Sequence, residues 1–133
     1  MAKLDAQLGA AMLSIPATKG VEIGSGFDMT TRRGSETNDV FEDGRFRTNW
    51  GGGIAGGISN GAEVVVRVAV RPATSIARPQ TAATASGGTT TIEIQGRHDP
   101  CICPRVVPVA ESMMAIVLMN VWLRQRALRG ADR

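Results

Sequence analysis

The densest gathering of chemically capable side chains is Arg97-His98-Asp99-Pro100-Cys101-Ile102-Cys103-Pro104-Arg105, with Pro108 and Glu111 just beyond. It holds the chain's one histidine and both of its cysteines. Two guanidiniums can neutralise an anion through planar, charge-assisted hydrogen bonds. A carboxylate held near a reacting proton can take it or return it. Plainer uses compete: Asp99 before Pro100 can nucleate a turn, and Arg97 can simply pair with it. A nucleophilic triad is excluded, because the single histidine has no serine or cysteine partner suitably spaced. A disulfide across Cys101-Ile102-Cys103 would be strained, and a lone Cys-x-Cys lacks the second ligand pair of a zinc site. Both cysteines are expected to be packing residues, and no metal is expected.

A second constellation is Arg71-Pro72-Ala73-Thr74-Ser75, with a guanidinium, two hydroxyls and backbone amides in five residues. Such a cluster can hold a phosphate, or can be a capped turn. A third is the run Gly51-Gly-Gly-Ile-Ala-Gly-Gly-Ile-Ser-Asn-Gly61. Gly51, Gly53 and Gly56 formally satisfy G-x-G-x-x-G, but a dinucleotide fingerprint needs a strand before it, a helix after it and an acid about 20 residues on. Here Arg45-Phe-Arg-Thr-Asn-Trp50 precedes it, a β-branched run follows it, and Arg71 stands beyond. That reading fails. What remains is a glycine-lined backbone able to approach a flat ligand, or plain turn chemistry.

These residues need elements to position them. Leu4, Leu8 and Met12 recur at helical spacing and predict an amphipathic helix over 2–15, ended by Pro16. Val21–Ile23 reads as a short strand, 24–53 as a long polar connection, and Glu63–Val70 as a largely buried strand. Residues 77–88 read as loop and Thr89–Ile94 as a strand leading into Arg97. A last helix is expected from Pro108, with Met113–Met119 apolar all round and therefore buried. Glu111 and Asn120 leave that apolar run too short for a membrane span.

At 133 residues the chain fits one domain, and 43% hydrophobic with 20% charged is ordinary for a globular protein. With three Phe, two Trp and no Tyr, the core must rest on aliphatic residues and Met. A formal charge of +3, with arginines scattered rather than gathered beside aromatics, argues against nucleic-acid binding. No signal-peptide layout opens the chain, so a cytoplasmic location is expected.

The Arg97-His98-Asp99-Pro100-Cys101 block, with Pro108, Glu111 and Met113 at matching distances, resembles the carboxy-terminal signature of the chorismate synthase family. Further blocks follow in the family's order: Lys3–Ala6, Ser14–Gly24, Gly34-Ser35 with Asn38-Asp39, Gly52–Gly61 and Arg71–Ile76. The resemblance implies an α+β fold, the family's β-α-β sandwich in part, with mixed or antiparallel strands packed on buried helices. It implies that 1–133 is the carboxy-terminal FMN- and substrate-binding portion of the domain, in a homotetramer. The family carries out an FMN-dependent 1,4-elimination of phosphate from 5-enolpyruvylshikimate 3-phosphate, giving chorismate in aromatic amino acid biosynthesis. Reduced FMN is the implied cofactor, with NADPH as reductant in bifunctional relatives.

Residue by residue, Pro16 and Ala17 match a backbone segment that touches the flavin, and Gly56 a glycine that lets the backbone approach it. Arg71, Pro72, Ala73, Thr74 and Ser75 match a lysine-proline-threonine-serine-serine segment around the flavin phosphate. Arginine for lysine keeps the charge, while Ala73-Thr74 changes the hydroxyl order. Arg97 matches a residue contacting flavin and substrate, and Asp99 an acid assisting proton transfer near flavin N5. His98 stands where members can carry serine, and Trp50 where a basic or small residue is usual. The family's two catalytic histidines and its arginine-rich substrate region have no counterpart here. The chain alone is therefore expected to be inactive unless another chain supplies them, and prone to aggregate. The alternative is a non-catalytic remnant that acts as an anion-binding or assembly module.

Overall fold

A computed structural model describes residues 3–97 and 99–130. Helix α1 spans Leu4–Leu13 and strand β1 Thr18–Ile23. Two short 3-10 turns and the small hairpins β2 (Phe41–Glu42) with β3 (Arg45–Phe46) and β4 (Ile54–Ala55) with β5 (Ile58–Ser59) follow. Then come β6 (Val66–Val70), β7 (Gln80–Ala83), β8 (Thr89–Ile92) and the long helix α2, Cys103–Arg129. The class is α+β. Every strand pairing among the described residues is antiparallel: β1 with β6, β2 with β3, β4 with β5, and β7 with β8.

The centre is α1. Its Leu4, Leu8 and Met12 are buried, as their spacing predicts, and Ile15 and Ile54 complete the buried apolar set. Ile23, Val64 and Val66 pack on this cluster from one side, and Met114, Val117, Leu118 and Val121 of α2 from the other. Those four fall at i, i+3, i+4 and i+7, one stripe of a helix. The opposite flank of α2 has no such cover: Ile116 is 63% exposed and Met119 54%. The expected buried helix is thus only half covered, because α1 and β6 reach one face. It also starts earlier than expected, at Cys103, with Pro104 in the first turn and Pro108 inside. Its 27 residues contain a window of mean hydropathy 1.8, long and apolar enough by length and composition to cross a membrane, contrary to the expectation from the shorter run. The stripe against α1 gives those side chains a protein partner instead.

Strand β6 is shorter and less buried than Glu63–Val70 promised. Val66, Val68 and Val70 turn inward and are half-buried, while Arg67 and Ala69 face out. Arg67 Nε meets Glu22 across the ladder at 3.1 Å. The expected loop 77–88 contains β7, which pairs with β8 as a projecting hairpin.

The connection 24–53 is a sequence of turns held by one carboxylate. Asp39 accepts from the N–H groups of Trp50 (2.7 Å) and Gly51 (2.8 Å) and from Thr48 Oγ1 (2.8 Å). Burial alone would raise Asp39, but these donors, Gly51 foremost, bring its carboxyl below the ordinary value. Trp50 also lies under the Arg32 guanidinium at 4.8 Å. Asn49 joins the next turn, donating to Glu63 O and accepting from Gly53 N–H. The close approach foreseen for the glycine run is made to the chain itself: a Cβ on Gly52 would collide with Gly24, and one on Gly53 with Glu63.

Two outcomes follow. Leu8 is fully buried, so Leu8→Ala should cost about 2–5 kcal/mol in urea denaturation. For Asp39 the folded value is depressed, so its stabilisation is present above the unfolded value of about 4 and lost as pH falls through the folded value. Asp39→Asn should therefore cost about 1 kcal/mol or more at pH 7, and the gap from wild type should close in acid.

Candidate functional site

Pro16 and Ala17 form the corner between α1 and β1. Ala17 takes φ +69, a left-handed conformation that costs a residue with a Cβ about 1–2 kcal/mol. Its carbonyl accepts the N–H of Arg71 at 2.9 Å, one bond beyond the Thr18–Val70 pair that ends the ladder. Two stretches far apart in sequence thereby share one edge. From there Arg71–Ser75 leaves the sheet without regular structure, exposed except at Ala73. The Arg71 guanidinium and the Thr74 and Ser75 hydroxyls have no hydrogen-bond partner among the described residues, so their donors are available to an anion.

Gly56 lies elsewhere. It occupies the β4–β5 turn with Gly57, at φ +60 and +85, and a Cβ on Gly56 would meet nothing. Gly57 O accepts the N–H of Leu4 at 2.8 Å, so this turn caps the start of α1. The Ala17–Arg71 corner is past the helix's other end, and ten residues of helix rise about 15 Å. Gly56 is exposed and open, but the structure does not bring it to Arg71.

Asp99 lies in the loop between β8 and α2. Its carboxylate meets Arg105 at 2.8 Å and Arg97 more distantly, at 3.9 Å. The Asp99 side chain is 30% exposed against 89% for Arg97. Arg105, the second guanidinium of the 97–105 cluster, belongs to the first turn of α2. It lies eight residues after Arg97, across a loop stiffened by Pro100 and Pro104. His98 lies outside the described residues. Cys101, just before α2, and Cys103, its first residue, are free and exposed rather than packed. The neighbouring Cys101 thiol raises Cys103 above its ordinary value.

An apolar groove of about 290 Å³ lies between β6 and the first turns of α2. One wall carries Met12, Val68 and Val70, ending next to Arg71. The other carries Cys103, Val106 and Val107, on the turns that hold Arg105. This is the low end of volumes that enclose small ligands. Thr18 Oγ1, on the neighbouring strand, is buried without a hydrogen-bond partner among the described residues. Glu111 is the one charged residue of the lining, and Arg71 follows Val70 directly in the chain. The exposed donors of Arg71, Thr74 and Ser75 suit the phosphate of the flavin mononucleotide that the family resemblance implies.

Comparison with known proteins is consistent across sequence and structure. The family model described as chorismate synthase matches residues 1–123. The chorismate synthase of Opitutus terrae is 54% identical over 132 residues, covering 96% of this chain and 36% of that protein. That of Chloroflexus aggregans is 56% identical with the same coverage. A crystal structure of chorismate synthase superposes with a TM-score of 0.67 at 34% identity, over 92% of this chain and 30% of the other. The chain spans about a third of the length of the relatives it matches, at 36%. On the family model, the identities and the shared fold together, the chain belongs to the chorismate synthase family.

Proposed function

We propose that the chain is the FMN- and substrate-anion-binding portion of a chorismate synthase. The reaction is the 1,4-elimination of phosphate from 5-enolpyruvylshikimate 3-phosphate, a carbon–oxygen lyase step. The observation that carries this reading is the Ala17–Arg71 hydrogen bond of 2.9 Å, which joins the two expected flavin-contacting segments at one edge. Reduced FMN, if bound there, would supply reversible electron donation to the departing phosphate, with no net redox change.

The chain's own residues then have separate tasks. Arg71, Thr74 and Ser75 hold the flavin phosphate by charge-assisted and hydroxyl hydrogen bonds. The backbone of Pro16 and Ala17 lies against the flavin, with Pro72 and Ala73 carrying the phosphate-binding donors and Gly56 offering a second open backbone position. Arg97 neutralises substrate charge and so favours departing phosphate over water. Asp99 Oδ1, the oxygen that Arg105 leaves less covered, takes and returns a proton. Turnover needs the catalytic histidines of the family's amino-terminal portion, supplied in a tetrameric, cytoplasmic assembly, with NADPH as a source of reduced flavin in bifunctional relatives. A second reading, a non-catalytic anion-binding or assembly module, draws on the uncovered apolar flank of α2.

The test is FMN binding to the purified chain by fluorescence quenching, with and without the enolpyruvyl substrate. Binding should tighten with substrate, and Arg71→Ala should weaken it by about tenfold or more, the worth of a hydrogen bond to a charged group. Arg71→Ala binding like wild type would overturn the reading. Turnover on adding the amino-terminal portion separates the enzyme from the binding module.

A further inference from the structure

The geometry points to Arg105 as a positioning residue: by taking the Asp99 carboxylate, it keeps the Arg97 guanidinium available for an anionic ligand. Two cations share one anion in this loop. Arg105 Nη1 holds Asp99 Oδ2 at 2.8 Å, within hydrogen-bond range, while Arg97 Nη2 stands 3.9 Å from Oδ1, beyond it. The charge left over therefore resides on Arg97, whose side chain is 89% exposed. Arg105 can hold this post because it belongs to the first turn of α2, where its own N–H donates to Ile102 O at 3.0 Å. Arg97 sits in irregular chain after β8, outside any helix or strand. Without Arg105, the cluster is a neutral Arg97–Asp99 pair. The guanidinium would then close onto the carboxylate, and an incoming phosphate or carboxylate would have to break that pair first. Arg105 thus acts on ligand binding through Asp99, without touching the ligand.

The ligand half of this inference rests on the flavin and substrate reading of Arg97; the geometric half does not, and the test separates them. Phenylglyoxal, which modifies accessible guanidiniums, is applied to the full chain, and the rates at Arg97 and Arg105 are followed by peptide mass spectrometry. In wild type Arg97 should react faster than Arg105. In Arg105→Ala, labelling of Arg97 should slow by about two- to fivefold, the worth of a partly exposed ion pair. Arg105→Lys should restore the wild-type rate. So should Arg105→Ala combined with Asp99→Asn, because no carboxylate remains to capture Arg97. If Arg105→Ala does not fold, Arg105→Gln removes the charge while keeping most of the stem and gives the same readout. FMN affinity should follow the same order across the variants. An Arg97 rate indifferent to Arg105, or one that stays slow in the double variant, overturns the inference. If labelling follows the scheme while Arg97→Ala leaves FMN affinity unchanged, the clamp stands and the flavin role of Arg97 fails.

Discussion

Leu8 has no surface left to water, and the other elements are placed by what they bury against the helix face it centres. The β1–β6 ladder covers one side of that face through Ile23 and Val66, and α2 covers another through Met114, Val117, Leu118 and Val121. The β4–β5 turn closes the start of α1 by accepting the Leu4 N–H. With so few buried side chains, most of them aliphatic, the arrangement rests on shape as much as on area. The Ala17–Arg71 corner inherits its position from the same helix: Pro16 can stop α1 only where Met12 and Ile15 have finished packing, and Ala17 then meets Arg71.

That dependence explains which features can be read along the chain. Helix α1 and the strands around Val21 and Val68 follow from local spacing and β-branched composition, which act over a few residues. The start of α2 does not. Pro108 and Pro104 both satisfy the sequence rule for a first-turn proline, and α2 accommodates both, one in the first turn and one inside the helix. Burial of α2 could not be read either, because an all-apolar run does not say how many of its sides the rest of the fold will cover.

The site divides in the same way. Arg71, Arg97 and Asp99 stand out by residue type and by resemblance to the family, to which the chain belongs. That Ala17 and Arg71 share a hydrogen bond depends on the register of β1 against β6, a long-range pairing no local pattern encodes. Likewise, which arginine takes Asp99 is decided by distance in the folded loop, not by order in the sequence. Asp39 is a counterpart in the other direction: an acid in a polar connection that turns out to organise the backbone around Trp50 and Gly51.

The β7–β8 hairpin stands apart from this economy. Its residues are nearly all exposed, and its substantial packing is of one strand on the other. An isolated two-stranded hairpin is marginal in water, so it should open and close on its own, exchanging its amides long before those of β1 and β6. Its Thr84–Gly88 tip, tied by Thr84 to Gly88, is thermodynamically insulated from α1. Residues could be added or removed there with little cost to the packing that holds Ala17 against Arg71.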